Sequence, residues 1–147
     1  MRISRCGDLI SQIKHVGGRV FEHLLQQSGV EAFNGPQGRI LDALWQSDGS
    51  ASREVSKRTG LAPSTLTSML DRMEATGLLR RQSDPDDRRI TRLYLTEQAQ
   101  SLRSRYEAVS GQMTEVYFRG FSDDEIECLE SLLTRVLQNV KEYDVHG

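Results

Sequence analysis

The chain has 147 residues, 37% of them apolar and 27% charged, with a formal net charge of −2. That length fits one domain able to bury a core, and that balance excludes an intrinsically disordered chain. No run approaches the ~20 apolar residues of a membrane span, and MRISRCGDLISQIK lacks the apolar block of a secretion signal, so the expected location is the cytoplasm.

In chain order, residues 8–27 are predicted as a first helix with Leu9, Ile10, Ile13, Val16, Val20 and Leu24 as its apolar stripe. Gly17 and Gly18 weaken it, each costing about 1 kcal/mol against Ala, and suit close approach by another helix. FNGPQGRILDALWQ supplies a cap at Asn34, Pro36 in the first turn, and apolar spacing at Ile40, Leu41, Leu44 and Trp45. SDGSA is a turn. Ser52 reads as the cap of a short helix over 53–58, which Thr59 and Gly60 stop, Gly60 being suited to a left-handed C-terminal position. Pro63 opens a further helix to Thr76, ended by Gly77, with Leu66, Met69, Leu70 and Met73 on one buried face. LLRRQ and ITRLYL are β-prone runs around a loop at 83–89.

Thr96 caps a long helix to about Phe118, in which Leu102, Tyr106, Val109, Met113 and Val116 step as in a coiled-coil seam. In FSDDEI, Ser122 and Glu125 make a capping box, with Phe121 and Ile126 placed as its hydrophobic staple. The last helix carries Ile126, Leu129, Leu132, Leu133, Val136, Leu137, Val140 and Tyr143. That apolar surface is wide for the end of a small domain, and part of it is expected to bury against a second chain.

The charge is unevenly spread. Between Ser50 and Arg105 stand eleven Lys or Arg and seven Asp or Glu; the rest holds eight and fourteen. A basic middle between acidic ends suggests a polyanion-facing segment on a separate scaffold. The Pro63 helix presents Ser64, Thr65, Thr67, Ser68, Asp71 and Arg72 opposite its apolar face. Small hydroxyls at a helix N-terminus let the backbone approach a duplex and bond phosphates or base edges. The bland alternative is a solvated helix in which Ser and Thr are filler.

The stretch DPDDRRITRLYLT tips that balance. It is no calcium loop of the EF-hand kind, since Arg89 and Leu95 stand where Gly and a bidentate Glu are required. Two readings remain: a solvated, self-neutralising turn, or a projecting turn in which Asp87 orients a nearby arginine such as Arg89. The second is favoured, because an arginine arm beside a major-groove helix is a known geometry for reading DNA.

The run SREVSKRTGLAPSTLTSMLDRMEATGLLRRQSDPDDRRITRLYLT resembles the winged helix-turn-helix of MarR-type bacterial transcriptional regulators. The family's wing pattern of Asp, any residue, Arg, five residues, then Leu-Thr reads here Asp87-Arg88-Arg89 and Leu95-Thr96. GPQGRILDALW is similar to the family's second helix, with Gln37 in its usual place. The resemblance implies a mainly α fold with a small β-hairpin wing (α+β). Residues 1–33 would be an N-terminal dimerisation helix, 34–96 the DNA-binding domain, and 97–147 the C-terminal dimerisation helices. It implies a homodimer on a pseudo-palindromic double-stranded DNA operator, with the Pro63 helix in the major groove and the wing arginine in the minor groove. The candidate DNA-binding residues are then Pro63, Ser64, Thr65, Thr67, Ser68, Arg72, Arg88 and Arg89, with Asp87 orienting the wing. Ala62 stands where a Ser or Asp cap is common, so the recognition helix is expected to fray slightly more. Ala99 stands where the family often has Gly, which should affect only the entry into the long helix.

Members of that family often admit small aromatic acids and are expected to act as repressors released by them. His15, Arg19 and Trp45 would line a pocket between the first two helices, a cation beside an aromatic ring suiting an anionic aromatic effector. The alternative leaves His15 on a surface or an interface. Some members sense oxidants through an N-terminal cysteine, which makes Cys6 a candidate sensor against the alternative of a plain free thiol. Cys128 is expected to pack. Two cysteines are too few for a disulfide framework, and His15 and His23 are eight apart, so no metal and no cofactor are expected. No Gly-rich phosphate loop, HExxH helix or GxSxG elbow appears, so an enzyme is not expected. A winged-helix module that binds only proteins is a third class, and the paired Arg88 and Arg89 argue against it.

Overall fold

The computed structural model describes residues 3–144. Its elements are α1 (Cys6–Gln27), α2 (Gly35–Gln46), α3 (Ser52–Thr59), α4 (Pro63–Ala75), β1 (Leu79–Ser83), β2 (Thr91–Leu95), α5 (Glu97–Ser101), α6 (Arg103–Tyr117) and α7 (Asp123–Glu142). The fold is mainly α with one antiparallel hairpin, in the order the sequence predicts. It divides into two compact units, Met1–Met113 and Thr114–Gly147.

In the first unit, local chemistry sets the helix ends. Asn34 accepts the Gln37 N–H at 2.9 Å while the Gln37 side chain accepts the Asn34 N–H, a full capping box. Gly60 closes α3 at φ +72, in the left-handed region where a Cβ would be strained. The core draws Leu25 from α1, Ile40, Leu41 and Leu44 from α2, Met73 from α4 and Leu93 from β2, all fully buried. Each contributes on the order of 1.5–3 kcal/mol of burial.

The hairpin pairs Leu79 with Leu95 and Arg81 with Leu93. It is tied to the loop before α3: Leu93 donates its N–H to Ser50 O at 3.0 Å, and Asp48 accepts the Leu95 N–H at 2.8 Å. Ala51 bridges Arg92 in the antiparallel sense. This pairing corrects one predicted cap. Ala51, extended by its bridge, is the N-cap of α3, and Ser52 is already helical.

The helix predicted from Thr96 to Phe118 is interrupted at Leu102. Leu102 donates to Ala99 O, three residues back, at 3.1 Å, and the same carbonyl accepts the Trp45 indole N–H at 3.1 Å. The shortened turn separates α5 from α6. Thr96 caps α5 as expected, its hydroxyl accepting the Ala99 N–H. The stripe of α1 also divides: Leu24 and Leu25 join the core, whereas Leu9, Ile10, Ile13 and Val16 are exposed.

The second unit holds the end of α6 and α7. Ser122 and Glu125 form the predicted capping box, and Phe121 packs edge-on against Phe118 at 5.7 Å between ring centroids. No residue of α7 is buried, and Leu132, Leu133, Val136, Leu137 and Val140 form an exposed apolar stripe. Cys128, expected to pack, is exposed on this helix instead, because α7 has no covered face in the single chain. Among the described residues, no helix is long and apolar enough to cross a membrane.

Candidate nucleic-acid interface

Helix α4 turns Leu66, Leu70 and Met73 inward and leaves Pro63, Ser64, Thr65, Thr67, Ser68 and Arg72 exposed. The 3.6-residue period thus puts every candidate reading side chain on the outer face. Thr67 donates its hydroxyl to Pro63 O at 2.9 Å, so toward a ligand its oxygen acts as an acceptor. Ala62 is the N-cap and provides no side-chain cap, which leaves N–H groups at the start of α4 free to meet an anion.

The wing tip is organised by two aspartates with different partners. Asp84 is buried, 8% exposed, and accepts the N–H groups of Asp86 at 2.8 Å and Asp87 at 3.0 Å. It also accepts Arg92 Nε at 2.6 Å, and Arg92 in turn donates to Gly49 O at 3.0 Å. The Arg92 guanidinium and the two backbone donors hold the Asp84 carboxyl below the usual aspartate range. Asp87 accepts Arg89 Nε at 3.0 Å and Nη2 at 2.9 Å, a bidentate pair that lowers the Asp87 pKa. The Arg89 side chain nonetheless remains 90% exposed. Arg88 beside it is exposed as well.

One arginine that sequence reasoning passed over joins wing to helix. Arg81 on β1 follows Leu79 by two, so both side chains face α4. Its Nη1 lies 2.7 Å from Asp71 Oδ1, and its Nη2 lies 2.9 Å from Glu74 Oε1. Glu74 also accepts the Arg81 N–H at 2.8 Å, the largest cause of its lowered pKa. The acid spacing of three along α4 was the available signal, since it places both carboxylates on one face.

Residues 33–91 match the MarR family model, spanning α2, α3, α4, β1 and the wing tip described above. That stretch is a MarR-family domain. A MarR transcriptional regulator from Methanosarcina mazei superposes with a TM-score of 0.83 at 19% identity, over 98% of this chain and 95% of its own. A mutant MarR from E. coli complexed with operator DNA gives 0.79 at 25% identity, over 89% and 92%. PcaV from Streptomyces coelicolor, in complex with its natural ligand, gives 0.76 at 26% identity, over 94% and 97%.

The remaining candidates occupy different settings. Trp45 is buried against Phe33 and Tyr106, with ring centroids 6.5 and 5.2 Å away, whereas His15 and Arg19 are exposed on α1. The buried indole N–H is satisfied by the carbonyl of Ala99, a partner that sequence alone does not reveal. Cys6 begins α1 and is exposed, its N–H donated to Ser4 Oγ at 3.1 Å. No group of three or more His, Cys, Asp or Glu suited to a metal ion occurs among the described residues.

Proposed function

We propose that this MarR-family protein is a homodimeric, sequence-specific regulator of transcription that binds a pseudo-palindromic duplex operator. The single observation that carries this reading is the wing tip, where Asp87 holds an otherwise exposed Arg89 in a fixed fork. A guanidinium pre-set on a projecting turn serves no purpose in the core; it suits the narrow, electronegative minor groove. The exposed hydroxyl face of α4 is the matching major-groove element, its Thr67, Ser68 and Arg72 reaching base edges while Ser64 and Thr65 meet phosphate. The likeness to E. coli MarR solved with operator DNA supports the same assignment. The exposed apolar stripes of α1 and α7 are each covered by the second copy.

Repression relieved by a small aromatic anion is the regulatory form we assign, on the likeness to PcaV solved with its natural ligand. Binding should be measured by fluorescence anisotropy on duplexes enriched from a random pool, across a salt series. The expected result is a recovered motif with half-sites about one helical turn apart and affinity that falls with salt. Failure to retain any duplex at low salt would sink the reading and favour a protein-only interaction module.

A further inference from the structure

Helix α4 carries just three charged residues, Asp71, Arg72 and Glu74. A helix meant to lie against phosphates thus has an acidic excess in its second half. The structure resolves this conflict with Arg81. Its guanidinium spans both acids, 2.7 Å from Asp71 and 2.9 Å from Glu74, and its backbone N–H adds a bond to Glu74 at 2.8 Å. Arg81 and Arg89 of the hairpin are both paired within the chain, but the Arg81 side chain is largely covered, 28% exposed, whereas that of Arg89, held by Asp87, stays 90% exposed. Like charges facing a polyanion in a poorly screened gap cost far more than the same charges in bulk water.

We propose that Arg81 is an internal counter-cation: it shields Asp71 and Glu74 from the DNA backbone and is itself withheld from DNA. The clamp thereby removes two repulsive and one attractive charge from the encounter, leaving discrimination to Thr67, Ser68 and Arg72. This positioning role rests on the DNA-binding reading above and adds to it a control on the ratio of specific to non-specific binding.

The test uses the full chain, an enriched operator duplex and a random-sequence duplex of equal length. Arg81→Met bares two carboxylates and should weaken binding to both duplexes roughly tenfold at about 0.1 M salt. The double variant Asp71→Asn, Glu74→Gln frees Arg81. It should bind both duplexes more tightly, with the slope of log K on log salt steeper by about 0.9 for one new arginine–phosphate pair. The triple variant should return to within about threefold of wild-type affinity or better, because no bared acid remains. Far-UV melts check folding; if Arg81→Met does not fold, Arg81→Lys takes its place, one ammonium shielding only part of the pair, with an intermediate loss expected. Wild-type protein that binds neither duplex overturns the DNA-binding reading itself. If wild type binds, Arg81→Met within twofold of it, no tightening by the double variant, or a triple variant as weak as Arg81→Met overturns the shielding role alone.

Discussion

Asp87 and Arg89 form a two-point pair in which the acid is two-thirds covered and the arginine stands almost wholly in solvent, with side-chain exposures of 33% and 90%. That asymmetry separates an orienting acid from a solvated one. A solvated acid repels DNA, so deleting it tightens binding. An orienting acid pre-organises its arginine, so deleting it loosens binding in spite of the gain in positive charge.

Arg89→Ala should therefore weaken DNA binding and reduce the slope of log K on log salt by about 0.9 for each phosphate that Arg89 neutralises. Asp87→Ala should weaken it too, and the double variant should be little worse than Arg89→Ala alone. Anisotropy titrations across a salt series decide the matter; tighter binding by Asp87→Ala would end the orienting role.

Replacing Thr67, Ser68 or Arg72 should relax base preference within each half-site, at about 1–3 kcal/mol wherever the side chain bonds a base edge in bidentate fashion. Competition between the enriched duplex and single-base variants of it measures this. Equal weakening on every sequence would reassign these side chains to phosphate.

Gly38→Ala should destabilise the protein by about 1–3 kcal/mol, more than the helix propensity gained. A Cβ at Gly38 would stand 2.8 Å from Tyr106 Cε2 and 3.2 Å from Phe33 Cε2. Neither ring is free to swing, since Tyr106 also packs against Phe21 and Trp45. Urea melts should show the loss, and a smaller residue at position 106 should recover part of it.

Acid should loosen the wing. The carboxyls of Asp84, Asp87 and Glu74 all titrate below their ordinary values of 3.8 and 4.5 when folded, through Arg92, Arg89 and the backbone N–H of Arg81 respectively. A carboxyl with a lowered folded pKa contributes stability that is fully present above its unfolded value and is lost as pH falls through the folded one. The melting temperature should hold from neutrality down to about pH 5 and then decline. Asp84→Asn should start lower at neutral pH and decline less; parallel curves for the two proteins would remove Asp84 from the account.

Self-association should depend on the uncovered stripes. Light scattering of the wild type should return about twice the chain mass of 16.6 kDa, and Leu133→Asp on α7 or Ile13→Asp on α1 should shift it toward 16.6 kDa. A monomeric wild type at micromolar concentration would leave those stripes unexplained.

What could be read from the chain in advance was local. Asn34, Gly60, Pro63 and the Ser122–Glu125 box act within a turn of their own position, so spacing exposes them. The Asp87–Arg89 pair is likewise two residues apart. Misses came from partners distant in sequence. Ala51 caps α3 because it bridges Arg92, and α5 ends early at a carbonyl that also serves Trp45 from 54 residues away. Nothing in the charged turn set Asp84 apart from its neighbours, yet it is the buried one, bonded to an arginine eight residues on. Charge counting cannot rank three neighbouring aspartates; backbone geometry does.

Trp45 is the sole tryptophan in the sequence, and its indole N–H is tied to a carbonyl of α5 while its ring meets Phe33 and Tyr106. The molecule thus carries one built-in optical probe, seated at the junction of α2 and α5, whose ring and indole N–H contact Phe33, Tyr106 and Ala99 and none of the side chains assigned to DNA. Its emission should begin at short wavelength, as for an indole shut off from water. Operator docking that leaves the interior unchanged would leave this signal flat, whereas a small molecule that pries α2 from α5 would shift it to the red. Label-free titrations can therefore tell occupancy of the outer surface from rearrangement of the interior.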